Sequence, residues 1–286
     1  MTGVIISGFI LCILFIIELY RAHNDIQISK YTIQNSKIGK AFQGYQILQL
    51  SDLHGKFFGK QNLKLVQMIK EIHPDIIVMT GDMINGRAGN DSGSVISLIK
   101  GLSGEFPIYF VKGNHETYLP KKQQEKLEVL LLEQQVHILN NEKSLLVKEE
   151  EHINLYGMWC DLKYYVRQED GKKQKFTLEH LEKSMKKSAI NLEEFNILLA
   201  HNPNFIHAYA KWGADVTLSG HIHGGMIRLP LIGGIFSPDT ILFPKYSAGH
   251  YEVEGKHLIV SRGLSRGARG FRLFNRPEII IIELES

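Results

Sequence analysis

Apolar positions along this chain fall into distinct regimes. From Thr2 to Ile17 there is no charge at all (TGVIISGFILCILFII), and Leu19 and Tyr20 extend the run past the lone Glu18. That reaches the ~17–25 residues a membrane-spanning helix needs. A cleaved signal peptide would carry Lys or Arg before the run and small residues at a cleavage site, whereas the segment that follows here reads ELYRAHND. A buried core helix would show a polar face. The expectation is an uncleaved single-pass transmembrane anchor over residues 1–23. Arg21, Lys30, Lys37 and Lys40 follow the run and only the terminal amine precedes it, which favours a cytoplasmic C-terminal domain. Large domains translocate despite such charges, so the side of the membrane stays open.

Residues 24–41 read as a linker with one extended segment, and beyond it the periodicity becomes regular. Tyr45–Leu50 (YQILQL) reads as a strand. Leu63, Val66, Ile69 and Ile72 recur at helical spacing and stop before His73-Pro74, as a helix before proline should. Residues 76–80 (IIVMT) predict a buried strand. Val95, Leu98, Ile99 and Leu102 make a second helical stripe, followed by a strand over 108–111 and a third helix over 121–135. Strands are predicted at 144–148, 153–157, Asn196–Ala200, Val216–Ser219, 258–261 and 279–283. Residues 163–187 are basic and polar: a surface excursion, then a short amphipathic helix over 177–187. Strand–helix–strand alternation argues for a sheet with helices on its faces. The strand-rich second half predicts a second sheet layered on the first. No repeat or low-complexity tract divides the chain, so residues 42–286 are expected to form one domain.

Composition narrows the class. With 44% hydrophobic and 22% charged residues among 286, the chain is neither disordered nor collagen-like. Lys+Arg 33 against Asp+Glu 30 leaves a net charge of +3, too mild to argue for nucleic acid, and none is expected as partner. Two cysteines, Cys12 and Cys160, build neither a disulfide framework nor a Cys-rich zinc site. The 13 histidines change the picture, because of where they fall.

Five predicted strands each deliver Asp, Asn or His to the loop that follows: Asp52-Leu53-His54, Gly81-Asp82, Gly113-Asn114-His115-Glu116, His201-Asn202-Pro203 and Gly220-His221-Ile222-His223-Gly224-Gly225. Carboxyl ends of strands are where α/β sheets form sites. A lone Asp-x-His or Gly-Asp is weak, since Gly-Asp is usually a turn and a single buried His is usually structural. Gly-His-x-His-Gly is stronger: alternate residues of an extended segment offer two imidazoles to adjacent ions, and glycine permits close approach. Carboxylate, amide oxygen and imidazole without thiolate suit Mn2+, Fe or Zn2+ rather than Ca2+ or a structural Cys zinc site. Ligands suffice for two divalent ions, the usual device for in-line displacement at phosphorus.

On these five ordered blocks the sequence resembles the calcineurin-like metallophosphoesterases over nearly everything after residue 42. The resemblance implies a four-layer αββα sandwich, here an α/β domain behind an N-terminal transmembrane helix. It is similar to a bacterial membrane-linked branch through Gly224-Gly225, Pro244-Lys245-Tyr246-Ser247-Ala248-Gly249, Val260-Ser261-Arg262-Gly263-Leu264 and Arg272-Leu273-Phe274-Asn275-Arg276-Pro277-Glu278. That branch includes UDP-2,3-diacylglucosamine pyrophosphatases of lipid A synthesis. By resemblance, Asp52, His54 and His223 bind one ion, Asn114, His201 and His221 the second, and Asp82 bridges both. Mn2+ ranks ahead of Fe and Zn2+. His115 is the implied general acid, or a stabiliser of the leaving oxygen. In some branches the third residue after the bridging Asp is a second Asp that orients this histidine; here it is Asn85, which cannot stabilise an imidazolium as a carboxylate does.

Substrate signals are thinner. Arg262, Arg266, Arg269 and Arg272 interleave with Gly263, Gly267 and Gly270, and guanidinium forks suit phosphate or pyrophosphate; a solvated basic loop is the plain alternative. Lys56-Phe57-Phe58-Gly59-Lys60 sets two aromatics between two cations, fit for a lipid surface or for the core. The expected activity is hydrolysis of a phosphodiester or pyrophosphate bond by metal-activated hydroxide, in a lipid-linked nucleotide such as UDP-2,3-diacylglucosamine. Rival readings are a broad phosphodiesterase on cell-wall polymer or cyclic nucleotide, and a non-catalytic binding module. Oligomeric state is not legible.

Overall fold

Alternate side chains of the strand Tyr45–Leu50 go to different cores, and that division organises the molecule. In the computed structural model, which describes residues 1–86, 92–166, 168, 173–266 and 270–286, Leu48 and Leu50 pack with Leu65, Ile69 and Leu98. Tyr45 and Ile47 instead join Leu155, Ile197 and Leu218. A strand buried on both faces reads as a continuous apolar run.

The first sheet contains β1 (Gln27–Gln34), β2 (Tyr45–Leu50), β3 (Ile76–Met79), β4 (Ile108–Phe110), β5 (His137–Ile138) and β14 (Glu278–Glu285), ordered β1-β14-β2-β3-β4-β5. Strands β2 to β5 are parallel and β14 runs against β2. The second holds β6 (Glu142–Lys148), β7 (Glu151–Met158), β8 (Asn196–Ala200), β9 (Val216–Ser219), β12 (Gly249–Val253) and β13 (Lys256–Val260), ordered β12-β13-β9-β8-β7-β6. Its four central strands are parallel and its edges antiparallel.

Helices α2 (Leu63–Ile72), α3 (Gly93–Leu102) and α5 (Lys121–Leu132) cover the first sheet with Val66, Ile99 and Leu131. Helices α6 (Leu178–Ser184) and α7 (Ile206–Trp212) cover the second with Leu181, Ile206 and Tyr209. The layers are helix, sheet, sheet, helix, as the resemblance implies. Between the sheets Gln49 is fully buried, its Nε2 donating to Thr80 Oγ1 (3.0 Å) and Ser219 O (2.9 Å). That amide ties together the ends of β3 and β9, directly below the loops that follow them.

Two expectations need correction. Residues 24–41 are not merely a linker, because β1 pairs in parallel with β14 from Gln27↔Glu278 to Gln34↔Glu285. Its alternation is faint because, within the strand, only Ile33 is buried. The basic excursion after residue 163 is not simply surface: Tyr164, Tyr165 and Phe176 are buried over the second sheet. The N-terminal helix α1 (Thr2–Asn24) is exposed from Val4 through Ile17 and apolar enough to span a membrane, with mean hydropathy 2.2, whereas Ala22 near its end is buried.

Candidate metal centre

Strands β2, β3, β4, β8 and β9 all end on one edge of the sandwich, so their five loops meet there. The backbone is forced to make them converge. Asp52 (φ 54°), His54 (47°), Asp82 (54°), His221 (71°) and His223 (52°) all adopt left-handed conformations, costing roughly 1–2 kcal/mol each. Neighbouring strands hold them in place. Asp52 N donates to Gly81 O (3.0 Å), His54 N to Asp82 O (3.0 Å) and Ser265 N to Asp52 O (2.9 Å). Glycine is required where the loops touch: a Cβ on Gly113 would overlap Asp82 Oδ1, and one on Gly220 would overlap Ser51 Oγ and Asp52 Oδ2.

Glu116, in the short helix α4 (Asn114–Tyr118), works as a clamp. Its buried carboxylate accepts from Gly113 N (2.8 Å), Asp82 N (2.9 Å), Met83 N (2.7 Å) and Ile84 N (3.2 Å). It thereby locks the β3 loop to the β4 loop.

The histidines and carboxylates gather into overlapping triads. Ligand atoms of Asp52, His54 and His223 lie within 4.8 Å of one another, as do those of Asp82, His201 and His221, and those of His54, Asp82 and His115. His54 Nε2 is 3.1 Å from His223 Nε2 and 3.7 Å from Asp82 Oδ2; His201 Nε2 is 3.1 Å from Asp82 Oδ2. Two outer contacts set the ring orientation. His201 Nδ1 donates to Thr80 O (2.7 Å) and His223 Nδ1 to Ser265 O (3.2 Å), which turns each Nε2 inward. A carbonyl behind the ring is the usual support of a metal-ligating imidazole.

Burial pulls His54 and His223 below the ordinary imidazole range, the Asp82 and Asp52 charges opposing it incompletely, so both rings stay neutral. For His201 burial acts the same way, but Asp82 and Asp52 outweigh it and raise its pKa. Asn114 Oδ1 is buried without a hydrogen-bond partner, and His201 Nε2 faces the Asp82 carboxylate. Inward-facing imidazole nitrogens, two carboxylates and an unpartnered amide oxygen in one buried cluster fit a pair of divalent cations. Cys160, buried among aromatics, stands apart from it.

The arginines expected at the substrate fare differently. Arg272 is buried, and its guanidinium donates to the carbonyls of Asn275 (2.8 Å), Gly263 (3.1 Å), Ser265 (2.6 Å), Arg262 (2.8 Å) and Arg276 (3.2 Å) and to Asn275 Oδ1 (3.2 Å). It holds the loop together and has no donor left for substrate. Arg262 is paired with Glu278 at 2.7 Å. Only Arg266 stands exposed at the site, and Arg269 lies outside the described residues. Of the aromatic pair, Phe58 is core and Phe57 is exposed.

A cleft of about 630 Å³ opens on the centre, lined by His54, Lys56, Asn85 and Arg266 together with His23 and Asn24 from the end of α1. Two site residues had escaped sequence reasoning. Asp239 Oδ2 lies 3.2 Å from His221 Nε2 and its other oxygen 2.9 Å from Lys173 Nζ; no motif surrounds it. Asn275 donates from Nδ2 to His223 O (2.7 Å) and Met226 O (3.1 Å), and its signal was the Arg-Leu-Phe-Asn-Arg-Pro-Glu segment.

Residues 45–225 match the calcineurin-like phosphoesterase family. The chain is 30% identical over 276 residues to the uncharacterized metallophosphoesterase YkuE of Bacillus subtilis, covering 93% of this chain and 88% of that one. It is 25% identical over 245 residues to the phosphodiesterase YaeI of Escherichia coli, covering 84% and 82%. A Danio rerio transmembrane protein with metallophosphoesterase domain is 24% identical over 291 residues, 99% of this chain and 62% of the fish protein. The family match covers all five of these loops. Sandwich, converging loops and buried triads agree with it: the chain belongs to the calcineurin-like phosphoesterases, metal-dependent hydrolases of phosphoric esters.

Proposed function

We propose that this enzyme is a single-pass membrane protein that hydrolyses a phosphodiester or pyrophosphate bond in a lipid-linked substrate, UDP-2,3-diacylglucosamine being one member of that class. The observation that carries the reading is the shared cleft, which His23 and Asn24 of the apolar helix line together with His54 of the centre. Similarity to a named phosphodiesterase supports the bond type.

Asp52, His54 and His223 would hold one ion, Asn114, His201 and His221 the other, with Asp82 serving both; Mn2+ is the first choice, Fe or Zn2+ the alternatives. Such ions supply hydroxide near neutral pH and neutralise phosphate oxygens in the transition state. The protein's own part is positioning and proton transfer. His115 N donates to Asp82 Oδ1 (2.7 Å), and its ring stands edge-on to His54 with centroids 4.3 Å apart. From there it serves the leaving oxygen as general acid. Asn85, on the cleft wall, offers an amide in place of a carboxylate, so the imidazolium form of His115 is supported less. Arg266 gives the cleft positive charge for phosphate, and Lys56 adds to it in part, its ammonium pulled down to about 7 by burial and by Arg272 and Arg266 nearby.

The test is a substrate panel with Mn2+-loaded full-length protein in detergent. Lipid-linked sugar nucleotides and other lipid-linked diesters should be turned over faster than cyclic nucleotides or cell-wall polymer. Preference for the soluble compounds would support the broad-phosphodiesterase reading instead.

A further inference from the structure

Three loops put large apolar side chains into solvent beside the centre. The hairpin of β10 (Arg228–Leu229) and β11 (Gly233–Gly234) carries Leu231 and Ile232 at its tip, with Leu231 fully exposed. Leu242 and Phe243 adjoin it: Phe243 N donates to Ile235 O (2.8 Å), and Phe236 bridges Leu242. Phe271 and Phe274 flank Leu273, whose carbonyl accepts from Arg228 N (3.0 Å), and Phe274 shares a surface depression with Leu231. Contiguous apolar surface of this kind marks an interaction site. Exposed Lys245 lines the same depression, and exposed Arg266 lines the metal-centre cleft.

The end of α1 is fixed to the same edge. His23 O accepts from Lys56 Nζ, and Asn24 O accepts from Lys64 Nζ (3.2 Å), so two lysine amines cap the carbonyl end of the helix. Asp25 pairs with Arg276 at 2.6 Å, two residues beyond Phe274. The apolar run ends at Tyr20, so a bilayer around α1 would have its surface within about one helical turn, ~5 Å, of this clamp. Cations mixed with aromatics match an anionic headgroup layer.

We infer that the loops bearing Leu231, Phe243 and Phe274 insert into the interface of the bilayer that holds α1, so that the metal-centre cleft opens onto the lipid surface. The inference rests on the reading of α1 as a membrane anchor. The substrate is then a lipid whose phosphate is drawn from that leaflet while its chains remain in it.

The test uses the full-length chain in vesicles of phosphatidylcholine and an anionic phospholipid, with and without brominated acyl chains. Emission from Leu231→Trp and Phe243→Trp, after subtraction of the parent chain's Trp159 and Trp212, should be blue-shifted and quenched by bromine. Val147→Trp should be neither, because Val147 pairs with His152 at the start of β7, the edge opposite the centre. Unquenched emission from the loop positions in chains that float with vesicles would overturn the inference and leave the anchor reading standing. A blue shift without quenching would mean a protein partner or a second copy covers the loops, and also overturns it. Chains that fail to float would sink both readings. The double variant Leu231→Asp/Phe243→Asp should lose roughly tenfold or more of its turnover of vesicle-embedded substrate and keep its hydrolysis of a soluble aryl diester. Equal turnover of both substrates by variant and parent would contradict insertion.

Discussion

Replacing Arg272 with Met tests whether this arginine builds the site or reads the substrate. Its guanidinium reaches six acceptors, five of them backbone carbonyls. Burial, with Arg262 beside it, pulls its pKa down to about 9, so it remains charged at neutral pH. Methionine fills similar space but strands those carbonyls, which water reaches only in part. Breaking a buried, hydrogen-bonded charge of this kind costs about 3–5 kcal/mol, or a fall in Tm of roughly 6–20 °C for a chain this long. The damage should spread to the centre, because Ser265 O, one of the acceptors, also takes the Nδ1–H of His223. Loss of such outer support typically weakens metal binding ~10–100-fold. Thermal unfolding by circular dichroism in detergent, and Mn2+ titration, measure both effects. Arg272→Lys should recover only part of the loss, with three donors for six acceptors. Unchanged Tm and metal affinity with a raised KM would refute this argument and restore Arg272 as a substrate ligand.

Further outcomes follow from other parts of the molecule. His115→Ala should keep both ions and lose rate mainly on alkyl esters, toward the lower end of the ~10²–10⁴-fold worth of general acid help because Asn85 is not a carboxylate; comparing alkyl and nitrophenyl diesters checks it, and equal loss on both would speak for phosphate positioning. Deleting residues 1–23 should give a soluble, folded domain, whereas deleting 1–41 removes β1 and bares the Ile280–Ile282 edge of β14, so size-exclusion chromatography should show monodisperse protein for the first and aggregate for the second. Cys160, its thiol pushed up to about 12 by burial, should react with a disulfide reagent at pH 8 only after unfolding in the chain that lacks residues 1–23 and with them the exposed Cys12; reaction of that folded chain would mean the aromatic layer over β8 is open.

Much of the candidate site was legible because the residues proposed as ligands follow short, doubly buried strands whose apolar runs announce themselves, and because few other roles demand Asp, Asn and His at five strand ends. Strand β1 was harder: one buried residue, Ile33, gives no period to read. Arg272 misled because its partners are carbonyls, which any sequence supplies, so a buried arginine and a phosphate-binding one look alike until the backbone is traced. Asp239 reaches His221 from an irregular loop, and tertiary proximity of that kind leaves no spacing behind. The apolar tips at Leu231 and Phe243 likewise carry no periodicity.

The account stands on two cations held by seven residues from five loops. Anomalous diffraction from Mn2+-loaded crystals of the parent chain and of Asp82→Asn tests that most directly. The parent should show two peaks ~3.5–4 Å apart, one beside Asp52, His54 and His223 and the other beside Asn114, His201 and His221, with Asp82 between them; the variant should lose occupancy in both and most of its activity. A single peak, peaks away from these side chains, or a fully loaded and active Asp82→Asn would contradict it.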